Sequence, residues 1–98
     1  MTYPTPSAGG PEARAALLEV CARPAAQRFR RAPFGKRGYK MEEVDQFVDR
    51  VKRNLDTWLT TQDAQDVRFG QQGWRGYDEG AVDDWIDRVG AYVKLNGR

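Results

Sequence analysis

At 98 residues, with 40% hydrophobic and 31% charged side chains, the chain fits one small, thin-cored domain. The absence of histidine and the single cysteine, Cys21, exclude an intrachain disulfide, a His/Cys zinc site and any histidine-based nucleophilic pair. The net charge of +2 hides an asymmetry: seven of the 16 basic residues (Arg23, Arg28, Arg30, Arg31, Lys36, Arg37, Lys40) fall within residues 23–40, which hold no acid, so nine face all 14 acids elsewhere.

Residues 1–10 are rich in Pro, Gly, Ser and Thr and read as a flexible tail; residues 11–98 read as a single helical domain. Pro11 and Glu12 make a good helix opening. The stripe Ala13, Leu17, Val20, Cys21 predicts a short amphipathic helix over 11–23, stopped by Pro24. On that stripe Cys21 reads as a small core residue. Residues 29–40 form a basic loop punctuated by Pro and Gly, in which Phe29, Phe34 and Tyr39 alternate with the cations. A concentrated basic segment of this kind suggests an anionic partner.

The clearest periodicity follows. Val44, Phe47, Val48, Val51, Leu55, Trp58 and Leu59 lie on one face of a helix predicted over 41–59. Thr60 and Thr61 end it, a short turn or helix occupies 62–67, and a second glycine-rich loop carries Trp74 and Arg75. Asp78 is a good N-cap for a last helix with the stripe Val82, Trp85, Ile86, Val89, Tyr92, Val93, closed by Asn96 and Gly97.

The two loop-plus-helix segments are copies. Residues 37–51 set over 75–89 agree at eight of fifteen positions, with Phe47 over Trp85 and Val48 over Ile86 as similar pairs. Phe29 and Phe69 precede the two copies at comparable distances, the second loop being two residues shorter. The chain therefore reads as two repeats, about 24–60 and 61–98, of one unit of about 40 residues. The fold expected is all-α: two tandem loop-plus-long-helix units pairing in a coiled-coil-like manner, with an extra short N-terminal helix. The pairing face is Val44, Phe47, Val48, Val51, Leu55 and Trp58 against Val82, Trp85, Ile86, Val89 and Val93. The 18 residues from Thr60 to Tyr77, at about 3.3 Å each, can run back along a helix of roughly 28 Å. Pairing within the chain is thus feasible, and pairing between two chains as a homodimer competes with it.

The unit Phe, loop, Arg-Gly-Tyr, then Val-Asp-x-aromatic-aliphatic-Asp-Arg-Val resembles the DivIVA domain of bacterial polar and septal scaffolds. The likeness covers residues 29–55 and 67–93, in the style of short actinobacterial proteins with tandem copies. It implies a coiled-coil dimer whose crossed loops touch anionic membrane, and a role in placing division or polar-growth machinery. The family's insertion pair, a hydrophobic residue then Arg before Gly-Tyr, matches Trp74-Arg75. The first repeat has Lys36-Arg37 there, with Phe34 as a substitute wedge. Lys40 replaces the usual helix-capping Asp that Asp78 retains, and the family's long C-terminal coiled coil has no counterpart in these residues.

The residues then read as follows. Trp74, Arg75, Phe34, Lys36, Arg37, Arg30 and Arg31 form a candidate membrane-binding set, an indole at an interface with cations on lipid phosphate. Trp74 as a core residue capping the helix ends, a solvated basic loop, and phosphate binding on nucleic acid as the weakest reading, are the alternatives. Gly38-Tyr39 and Gly76-Tyr77 read as structural turns into the helices. Asp45, Asp49, Asp83 and Asp87 read as register-setting surface charges. The expected function is a non-enzymatic cytoplasmic scaffold or adaptor, peripheral at the inner face of the membrane, in cell division, polar growth or envelope assembly. The alternative is an adaptor that pairs with a full-length DivIVA-type scaffold without membrane contact. No cofactor or metal is implied, and no run approaches the roughly 20 apolar residues of a spanning helix.

Overall fold

The computed structural model describes residues 7–98; most of the predicted tail, residues 1–6, lies outside the described residues. The chain is mostly helical, with helices α1 (Pro11–Ala22), α2 (Met41–Asn54), α3 (Thr61–Asp66) and α4 (Glu79–Leu95). Two short strands, β1 (Gly38–Tyr39) and β2 (Tyr77–Asp78), add a small antiparallel ribbon. Among the described residues no helix is long and apolar enough to cross a membrane.

Each helix forms for reasons visible locally. Pro11 occupies the first turn of α1 and Leu17, Val20 and Cys21 its buried face. Glu42 and Glu43 begin α2 and Lys52 and Arg53 end it, matching the helix dipole. Lys40 supplies no side-chain cap, and the Met41 N–H instead donates to Gln72 Oε1 of the other repeat at 3.2 Å. Asp78 caps α4 by accepting from the Ala81 N–H at 3.0 Å.

One expectation is overturned between α2 and α3. The helix stops at Asn54 rather than running to 59, and Trp58, predicted on the pairing face, is 82% exposed. Thr60 and Asp63 form a reciprocal capping box, Asp63 N–H to Thr60 Oγ1 at 3.1 Å and Thr60 N–H to Asp63 Oδ2 at 2.9 Å. That box opens α3, so the chain must change direction just before it. The Asn54 carbonyl accepts from both Thr57 and Leu59 N–H, which returns Leu59 to the core and turns Trp58 outward.

The other stripe residues share one core. Val44, Phe47, Val48, Val51 and Leu55 of the first repeat and Val82, Trp85, Ile86, Val89 and Val93 of the second belong to one buried cluster with Leu17, Val20 and Cys21 of α1. Helix α1 lies against both α2 and α4, and α3 lies against α4. Asp56 ties three segments together, accepting from Arg14 Nε at 2.8 Å and from the Tyr92 hydroxyl at 2.6 Å.

The repeats meet most intimately at the ribbon, where their contacts are reciprocal. Tyr39 pairs with Tyr77 in register. The Asp78 N–H donates to the Arg30 carbonyl and, in mirror fashion, Lys40 N–H to Gly70 O, both at 2.9 Å. Likewise Ala32 N–H reaches Gly76 O at 2.9 Å and Gln72 N–H reaches Gly38 O at 2.8 Å. Each short strand is thus flanked by the other repeat's strand and the other repeat's lead-in loop. The aromatics follow the same rule: Phe29 packs on Tyr77 and Trp85, and Phe69 on Tyr39 and Phe47. A local two-fold relation, not a one-after-the-other array, organises the molecule.

Candidate functional site

Crossed strands send both loops out at the same end. In the first, the turn Pro33–Lys36 closes with Lys36 N–H on Pro33 O at 2.9 Å, and Gly35 takes φ +81°. In the second, a single 3₁₀ turn, Gly73–Arg75, begins at Gly73 with φ +75°. Phe34 and Trp74, forty positions apart, meet there with ring centroids 6.0 Å apart. Phe34 is 88% exposed and Trp74 46% exposed. Phe34, expected as a substitute wedge for the first repeat, joins Trp74 in one aromatic tip.

Arg75 sits on that tip. The Arg75 guanidinium lies 5.4 Å from the Trp74 ring centre, a cation–π distance. Arg37 donates to Gln71 Oε1 at 3.1 Å, a neutral partner. Among the described residues, ion pairs leave Arg31, Lys36, Arg37 and Arg75 free. Arg30 differs, since it salt-bridges the helix-capping Asp78 at 3.0 Å. Its guanidinium supports α4, and the free cationic set is smaller by one than expected.

Arg28 departs furthest from the basic-loop reading. It is buried, not solvated, and donates to Asp49 Oδ1 at 2.7 Å, the Asp45 carbonyl at 3.0 Å and the Arg23 carbonyl at 3.1 Å. Its guanidinium also lies 3.5 Å from the Asp45 carboxylate. Asp45, read as a surface residue, is buried too. Its two oxygens accept from the Tyr77 hydroxyl at 2.6 Å and from the Ala26 N–H at 2.9 Å. In the mirror position the Tyr39 hydroxyl donates to Asp83 Oδ1 at 2.7 Å. Each tyrosine therefore crosses to the aspartate of the other repeat, and these paired bonds hold the loop bases in place. Recurrence of Tyr and Asp at matched positions of both repeats was the sequence signal for this brace.

Burial pushes the Tyr39 and Tyr77 hydroxyls up to about 12, reinforced by their bonds to Asp83 and Asp45. A phenol titrating higher in the folded state than its usual 10 stabilises fully below pH 10 and stops doing so as pH rises toward 12. On the acid side, the Tyr92 hydroxyl, the Thr60 N–H and the Ala81 N–H respectively hold Asp56, Asp63 and Asp78 below the ordinary 3.8. Their contribution is present above about pH 4 and lost as pH falls further. Thermal melts by circular dichroism should thus be flat between about pH 5 and 9, where the buried Cys21 thiol begins to count as well, and fall on both sides. Tyr39→Phe should make the alkaline limb shallower by the Tyr39 share and leave that of Tyr77, and an unchanged limb would contradict the raised Tyr39 hydroxyl.

Among the described residues no group of three or more His, Cys, Asp or Glu side chains gathers as a metal set. Burial pushes the Cys21 thiol up to about 11, in keeping with an inert core position. Comparison with known protein families, curated proteins and solved structures finds no match for the chain.

Proposed function

We propose that the chain is a non-enzymatic adaptor of the DivIVA type that docks its loop tip on anionic membrane. The observation that carries this reading is the joined tip: Phe34 and Trp74 exposed side by side, Arg75 over the Trp74 ring and, among the described residues, Arg31, Lys36 and Arg37 of the same loop region outside any ion pair. Two exposed rings suit the headgroup–acyl boundary, and each cation near an anionic leaflet adds about 1 kcal/mol. The Arg-Gly-Tyr and Val-Asp repeats, and loops that cross, agree with the resemblance. In this reading the shared core, with α1 lying against both α2 and α4, stands where the family has its coiled-coil pair. The chain acts at the inner face of the cell membrane, and its polar helix faces recruit division, polar-growth or envelope-assembly proteins. Pairing with a full-length scaffold through the apolar stripes is less favoured, because those stripes already fill the core.

Flotation with anionic and with zwitterionic vesicles, at low and physiological salt, tests the proposal. Binding is expected to anionic vesicles only and to weaken with salt. Trp74→Ser and Phe34→Ser should each lower affinity about tenfold, the scale of one large apolar side chain leaving water. Their melting temperatures should barely move, because both rings are exposed. No binding at either salt, or binding indifferent to both substitutions, overturns the proposal. Tighter binding to a short oligonucleotide than to vesicles at equal salt would reassign the tip to nucleic-acid phosphate.

A further inference from the structure

The two repeats treat one arginine differently. Arg28 directly precedes Phe29 and is clamped by Asp45 and Asp49 beneath Tyr77. The matching residues of the second repeat are Arg68, directly before Phe69, with Asp83, Asp87 and Tyr39. Tyr39 again bonds the first aspartate, Asp83, at 2.7 Å. Arg68, however, turns away and donates to the carbonyls of Gln65 at 2.9 Å and Val67 at 2.7 Å, beside the end of α3. Among the described residues neither Asp83 nor Asp87 has an ion-pair partner. A cavity of about 540 Å³ opens beside these matching residues, with Tyr39, Phe69, Asp83, Ile86, Asp87 and Arg68 in its lining.

We infer that this cavity receives an arginine side chain presented by a partner protein. Asp83 and Asp87 stand one turn apart on α4, as Asp45 and Asp49 do on α2, where the same spacing already holds a guanidinium. Phe69 and Ile86 offer an apolar wall for the stem, while the carboxylates accept the planar fork. A lysine, a compact ammonium without that fork, suits the site less. Among the described residues Arg68 is the one cation lining the cavity, and its bonds to two carbonyls hold it outside the position Arg28 takes. The site involves α3, β1 and α4 and shares no residue with the loop tip.

Amide NMR of the full chain, titrated with blocked Gly-Arg-Gly, Gly-citrulline-Gly and Gly-Lys-Gly peptides, tests this. Saturable shifts around Tyr39, Phe69, Asp83 and Asp87 are expected with the arginine peptide, weaker ones with lysine and none with the uncharged citrulline isostere. Asp87→Asn should weaken the arginine peptide about fivefold or more. Asp87 is exposed, so that variant should melt like the parent chain. Trp74→Ser should leave peptide binding unchanged, which separates this site from the membrane tip. Equal shifts with citrulline, indifference to Asp87→Asn, or binding seen only after Arg68→Ala would overturn the inference; the last would make the cavity Arg68's own seat.

Discussion

Replacing Arg28 by Ala is expected to remove about 3–5 kcal/mol of folding stability, the cost of breaking a buried ion pair from one side. Small domains hold only about 5–15 kcal/mol in total, so the variant should melt at least about 12 °C below the parent chain. Arg28 is 6% exposed and Asp45 9% exposed, so water cannot take over the lost bonds. Asp45 would keep the Tyr77 hydroxyl and the Ala26 N–H but face no cation. The carbonyls of Arg23 and Asp45 would lose their donor as well. Asp49 is half-exposed and rehydrates at little cost. Arg30→Ala is the matched control, because its exposed bridge to Asp78 should be worth under about 1 kcal/mol. Arg28→Lys should recover only part of the loss, since an ammonium cannot span Asp49 and two carbonyls together. Urea unfolding of the three variants separates these outcomes, and equal losses for Arg28→Ala and Arg30→Ala would refute the buried brace.

The contrast between those two arginines shows where sequence reading stops. Periodicity placed α1, α2 and α4 within a few residues, because an apolar stripe has one way to leave water. It misplaced Trp58, because a local capping box at Thr60 and Asp63 outweighed the continuing period. The Gly-Tyr pairs read as turns, since a two-residue strand carries no alternation to detect. Their partner strand also lies a whole repeat away in sequence. Within the basic loop nothing local distinguishes buried Arg28 from its solvated neighbours: its carboxylate partners are 17 and 21 positions downstream. Likewise Phe34 and Trp74 each appear as a lone exposed ring until the crossing of the loops brings them together. Local features were legible, and contacts that depend on the two-fold crossing of the repeats were not.

That crossing makes the second large prediction. Gly38→Ala and Gly76→Ala should each cost about 1–3 kcal/mol or more by overpacking. A Cβ on Gly38 would lie 2.7 Å from the Tyr77 carbonyl oxygen and 2.8 Å from the Gly76 carbonyl carbon. A Cβ on Gly76 would collide with the Tyr39 carbonyl oxygen and lie 2.8 Å from the Gly38 carbonyl carbon. The obstacles are backbone, so no rotamer change relieves them. Gly76 itself has φ −80°, open to any residue, so its cost is steric and not conformational. Because each glycine makes room for the other strand, the first substitution already forces the strands apart. The double variant should therefore lose at least about 1 kcal/mol less than the two single losses added, a coupling expected of neighbours in contact. Parting the strands also parts Phe34 from Trp74, so vesicle binding should fall with stability in the single variants. Simple additivity in a denaturant cycle would mean that the two backbones do not share one crossing point, and the two-fold arrangement of the repeats would have to be abandoned.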